Sequence, residues 1–175
     1  MNAPNSLPHH DVISVVGGGW SFSEVDHSKL PGHVVAVNEA MIALERRPDV
    51  GISMDRLWVE NRWHQLYPRD VLFYARRSAL QNIPRPLPTW CKVFDCDHTT
   101  VLFSWTFDRL KGTNSGTCAL NYSYLQSPQT VYLFGFDMKR GPNGRAYWHK
   151  PYPWAPINGA TKEFTGCPTE NQADW

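Results

Sequence analysis

At 175 residues, 42% of them hydrophobic and 13% aromatic, the chain can bury a core without disulfide staples, which excludes an intrinsically disordered segment. Seventeen Lys and Arg balance sixteen Asp and Glu to a formal net charge of +1, so no bulk field draws it to nucleic acid or a membrane surface. No apolar run approaches the ~20 residues that span a bilayer. The polar start, with Pro4, Pro8, His9 and His10, lacks the order of a signal peptide, so a cytoplasmic protein is expected.

Residues 1–10 read as a flexible leader and residues 11–175 as a single α/β domain. Residues 11–16 (DVISVV) form a continuous, β-branched apolar run, the pattern of a strand buried on both faces. Three glycines follow it. Ser21 or Ser23 can then cap a short helix, with Glu24 and Asp26 in its first turn, until Pro31-Gly32 breaks it. Residues 33–37 are a second strand and 38–46 a helix that ends before Pro48. Residues 50–54 are a third strand closing on Asp55, 56–66 a helix, and 71–74 a fourth strand. Four prolines in 82–90 impose a loop. Strands follow at 92–94 and 101–104, a helix at 114–125, and a strand at 130–136 that closes on Asp137. Beyond Gly141 the chain is irregular, rich in Pro, Gly and Trp. Strands alternating with helices predict a Rossmann-like α/β fold, a mostly parallel sheet covered on both faces.

Cys91, Cys96, Cys118 and Cys167 match neither a zinc pattern nor a C-x-x-C motif. They read as reduced, mostly buried thiols, with Cys91 and Cys96 on opposite faces of one strand.

In open parallel sheets, ligands bind beyond the carboxyl ends of the strands. Those ends carry Gly17-Gly18-Gly19-Trp20-Ser21, Asn38, Asp55 and Asp137, and a late helix starts at Asn114-Ser115-Gly116. Glycines let a backbone approach a phosphate, and the following turn supplies N–H donors; a tight connecting turn explains the same glycines. The Ser115 hydroxyl and Gly116 N–H offer a second anion site, or Asn114 and Ser115 simply cap their helix. Asn38 can bind a ribose or base edge, or cap the next helix. Asp55 and Asp137 can hold Mg²⁺ beside phosphates, accept from ligand hydroxyls, or cap. His149, near Tyr147 and between Lys139, Arg140, Arg145 and Lys150, can serve as general acid or base, or lie in a solvated basic loop. His9, His10, His27, His33, His64 and His98 show no ligand spacing and read as surface or structural.

The order VVGGGWSFSEVD, VVAVNEA, GISMD, TNSGT and VYLFGFD resembles two related Rossmann-like groups, across roughly residues 12–150. One is the bacterial sialyltransferases that use CMP-sialic acid. The other is the MptE-like 6-hydroxymethylpterin diphosphokinases. The resemblance implies a nucleotide site built from Gly18, Gly19, Ser21, Asn38, Ser115 and Gly116, with Asp55 and Asp137 nearby. It implies His149 as catalytic base, and Tyr147 or Tyr152 holding the leaving phosphate. It also extends to small phage and prophage proteins. Two departures stand out: GGGWS replaces a turn with Asn and Pro, placing Trp20 where a small residue is usual, and the chain stops soon after His149.

Three functions follow as expectations. The first is a transferase using a nucleotide-linked donor and an unnamed acceptor, most simply a glycosyltransferase with a CMP-sugar-like donor. The second is a Mg²⁺-dependent pyrophosphokinase-like enzyme. The third is a non-catalytic nucleotide-binding phage protein.

Overall fold

The computed structural model describes residues 9–69, 71–97, 106–137, 139–142, 144, 147–150 and 152–154. Most of the expected leader, the strand expected over 101–104, His98, Arg145 and Cys167 lie outside the described residues. Seven strands are seen among them: β1 Val12–Val16, β2 His33–Val37, β3 Val50–Ser53, β4 Leu72–Arg76, β5 Cys91–Asp97, β6 Arg109–Lys111 and β7 Thr130–Phe134. They form one sheet in the order β6-β5-β4-β3-β2-β1-β7. Every neighbouring pair is parallel, so the fold is Rossmann-like α/β.

Strands β2 to β6 add one after another on one side of β1. The chain then crosses back and lays β7 on the other side of β1. Strand order therefore reverses between β1 and β7, and their carboxyl ends border the crevice where such sheets take ligands.

Alternating side chains divide the core into two layers. Ile13, Val15, Val35, Val37, Ile52 and Phe94 meet Cys118, Ala119 and Tyr122 of helix α3, Ser115–Leu125. Val16, Val34, Ala36, Phe73 and Ala75 meet the opposite layer. That layer contains Met41 of α1 (Ala40–Ala43), Trp58 and Val59 of α2 (Arg56–Arg62), and Phe22 and Leu66 of two 3-10 turns. Cys91 packs in one layer and Cys96 against the other, as their spacing predicts, and the three described cysteines are free.

The helix expected over 38–46 is one turn long. Leu44 leaves it in an extended conformation and is 1% exposed, while Arg46 donates to the Leu30 and Gly32 carbonyls. These tertiary contacts override the local helical preference. The segment after the glycines is a 3-10 turn, Trp20–Glu24, with Gly19 at its N-cap; neither Ser21 nor Ser23 caps it. Asp26 instead caps the next turn, accepting from the Ser28 N–H at 3.1 Å. Strand β6 was not expected, because Arg-Leu-Lys has one apolar residue, the fully buried Leu110. No helix among the described residues is long and apolar enough to cross a membrane.

Candidate functional site

The two strand ends that border the crevice are joined by hydrogen bonds. The Gly17 N–H donates to the Phe134 carbonyl at 2.7 Å and the Gly19 N–H to the Gly135 carbonyl at 2.8 Å. Gly135, the residue after β7, adopts φ +71°, a conformation that favours glycine. Two residues later, Asp137 Oδ2 accepts from the Ser21 N–H at 2.8 Å. A carboxylate thus sits at the N-terminus of the Trp20–Glu24 turn, whose N-cap Gly19 has no side chain to offer. Three N–H groups of the region expected to cradle a phosphate are held by protein acceptors. The physical reason is proximity: β7 lies beside β1, and its end reaches the turn before any ligand.

The three glycines are not equivalent. A Cβ on Gly17 would lie 2.7 Å from the Gly135 carbonyl oxygen, and one on Gly19 would lie 2.5 Å from Asp137 Oδ2. Packing requires glycine at both. A Cβ on Gly18 would lie 3.5 Å from Tyr147 Cδ1 and 3.9 Å from His149 Nε2, which are ordinary contact distances. Gly18 is also absent from the glycines with positive φ. The fold has no need of glycine at position 18, and its bare backbone lies beneath an imidazole.

His149 reaches that position because residues 147–149 lie across the turn. Gly19 and Tyr147 form an isolated antiparallel bridge. Trp148 anchors the segment by stacking on buried Phe22, ring centroids 4.4 Å apart. His149 stacks with Tyr147 at 5.4 Å and tilts against Tyr152 at 4.8 Å. Its Nδ1 lies 2.8 Å from the Lys150 carbonyl oxygen. A carbonyl can only accept, so Nδ1 carries the hydrogen and the neutral ring keeps its lone pair on Nε2, the atom next to Gly18.

Tyr152 is half-buried, and burial first, then the Glu39 and Asp55 carboxylates, push its hydroxyl above the ordinary tyrosine range. It therefore stays protonated, and a hydrogen-bond donor, at neutral pH. Glu39 accepts from Trp58 Nε1 at 3.1 Å and from Arg62 at 3.3 Å. Arg62 also lies over the Trp154 ring, which stacks on Tyr152. Glu39 and Arg62 were not singled out by the sequence reading. Glu39 adjoins the strand tip at Asn38, whereas nothing in the spacing of Arg62 announces it.

The other strand tips form a separate network. Asn38 adopts φ +48° and does not cap α1 with its side chain. Its Oδ1 accepts from the Ser53 hydroxyl at 2.8 Å and the Ser115 hydroxyl at 3.2 Å. Buried Ser115 in turn accepts from the Met54 N–H at 3.1 Å, which commits the hydroxyl expected to bind an anion. Asn114 caps α3 in a capping box with Thr117. A Cβ on Gly116 would lie 2.8 Å from the Phe136 ring, so this glycine serves packing.

Asp55 caps α2 by accepting from the Trp58 N–H at 3.2 Å. The two carboxylates considered for Mg²⁺ are thus each engaged with backbone N–H groups. Among the described residues no group of three or more His, Cys, Asp or Glu converges on one point. Trp20 packs on Gly141, where any side chain would overlap its ring. With Ser21, Glu24, Asp137, Lys139 and Arg140 it lines an open cleft of about 380 Å³. No protein-family model, curated protein or solved structure matches this chain.

Proposed function

We propose that this protein is a transferase acting on a nucleotide-linked donor, of the sialyltransferase-like kind that uses a CMP-sugar. The observation that carries the reading is the pairing of Gly18 with His149: a glycine the packing does not require lies under an imidazole nitrogen free to take a proton. In this reading the donor phosphate approaches the backbone at Gly18, which adds no side chain of its own beside the Tyr147 and His149 rings. His149 Nε2 takes the proton of an acceptor hydroxyl as its oxygen bonds to the sugar carbon. The bond from that carbon to the CMP phosphate oxygen breaks, and the phosphate leaves with the electron pair. Protonated Tyr152, beside His149, is a suitable donor to that phosphate, and exposed Tyr147 is a second.

The test is a thermal-shift series with CMP, CDP, UDP, GDP and ATP, with and without Mg²⁺, followed by turnover of a CMP-sugar. A ligand that binds the folded state raises the melting temperature by mass action. CMP is expected to do so without metal. H149A is expected to keep the CMP shift and lower turnover by roughly 10²–10⁴-fold, the usual contribution of a general base. No shift with any nucleotide at millimolar concentration sinks the proposal. Binding without turnover points to the non-catalytic protein, and a shift that requires Mg²⁺ points to the pyrophosphokinase-like enzyme.

A further inference from the structure

The two edges of the sheet differ. Strand β6 is three residues long and carries Arg109 and Lys111, the short, charged form that discourages edge pairing. Strand β7, at the other edge, has five residues and no charge. Val131, Tyr132 and Leu133 are 38%, 46% and 50% exposed, so both faces of the strand are open to solvent. No charged residue occurs anywhere in 126–136.

The hydrogen bonds to β1 fix which backbone groups face the open edge. The Thr130 N–H donates to the Asp11 carbonyl, and the Phe134 carbonyl accepts from the Gly17 N–H. Along a strand, N–H and C=O groups of alternate residues point the same way. Thr130, Tyr132 and Phe134 therefore point theirs at β1, and Val131 and Leu133 point theirs outward. This arrangement is symmetric about Tyr132.

We infer that β7 pairs antiparallel with β7 of a second copy of this chain, about a two-fold axis at Tyr132. In that register Val131 lies opposite Leu133 of the second copy, and Leu133 opposite its Val131. Each pair exchanges two N–H···O=C bonds, using all four outward groups of each strand. Tyr132 meets its own counterpart at the axis, in the closer, non-hydrogen-bonded type of pair. The absence of charge lets identical strands approach without repulsion, and a self-complementary edge is what a two-fold interface requires. The product is one continuous sheet through both copies.

Sedimentation of the full chain across the micromolar range tests this, with L133K and Y132C as variants. The parent is expected to form a concentration-dependent dimer, and L133K, altered at an exposed position, to sediment as a monomer with unchanged circular dichroism. Under mild oxidation Y132C is expected to form a disulfide-linked dimer beyond the parent baseline, while T130C, which faces Phe134 of the second copy, is not. A parent that stays monomeric throughout overturns the inference. So does a dimer that L133K leaves intact, or crosslinking at T130C instead of Y132C. Slow amide exchange at Val131 and Leu133 in a monomer also overturns it, since the chain's own residues would then cover the edge.

Discussion

The Asp137 carboxylate accepts a hydrogen bond from the Ser21 N–H at 2.8 Å, across 116 residues of sequence. This contact joins the end of β7 to the turn after β1, with a negative charge at the start of the Trp20–Glu24 turn. D137A is expected to lower stability by about 1–2 kcal/mol, through the lost cap and the lost charge. D137N keeps an acceptor and is expected to lose less. Urea unfolding of both variants measures the difference, and equal, negligible effects would show that the contact contributes nothing.

The glycine turn makes a sharper prediction, because two of its glycines serve packing and one does not. G19A must displace Asp137 or the Gly135 carbonyl and is expected to cost roughly 2–4 kcal/mol. G18A is expected to change stability by no more than about 0.5 kcal/mol. G18A is nonetheless expected to abolish the CMP-induced thermal shift, because its methyl group stands where the donor phosphate approaches. Full CMP binding by G18A would remove the main support for the proposed function.

Ser115 joins two strand-end groups: it donates to Asn38 and accepts from the Met54 N–H, and it is buried. S115A leaves the Met54 N–H without this acceptor and is expected to destabilise by about 1–3 kcal/mol. A change well below that range in the unfolding midpoint would mean that water replaces the hydroxyl.

Acid should weaken the fold at His33. Its ring stacks on His10 at 3.9 Å and lies 3.5 Å from an Asp49 carboxylate oxygen. Burial first, and the nearby His10 second, hold its pKa below the ordinary 6.5, against the opposing pull of Asp49. The unfolded chain therefore binds the proton first as pH falls. This stabilising contribution is complete above about pH 6.5 and is lost as pH drops toward the folded pKa. Denaturant titrations from about pH 7 to pH 5 should show falling stability that H33Q flattens; an identical slope in H33Q would assign the effect to other groups.

The strands at 12–16, 33–37, 50–53 and 130–134, and the long helix α3, were legible in the residues. Each is an apolar run or a capped segment bounded by turn-forming residues, so local pattern and tertiary environment agree. Helix α1 and strand β6 were not legible for the opposite reason. Leu44 is drawn out of its helix by the core, and Leu110 alone anchors a strand otherwise made of cations.

At the candidate site the same division runs through single residues. The positions of Gly17, Gly18, Gly19, Asn38, Asp55, Ser115, Asp137 and His149 at strand ends, helix starts and the late loop follow from element order alone. Their partners do not. Asp55 and Asn114 cap helices beside them in sequence, which local reasoning can foresee. Gly19 is constrained by Gly135 and Asp137, Asn38 by Ser53 and Ser115, and Gly18 meets His149 from the far end of the chain. Short-range pattern showed where polar groups would gather. Long-range packing selected which of them hold one another, and it alone brought His149 over Gly18.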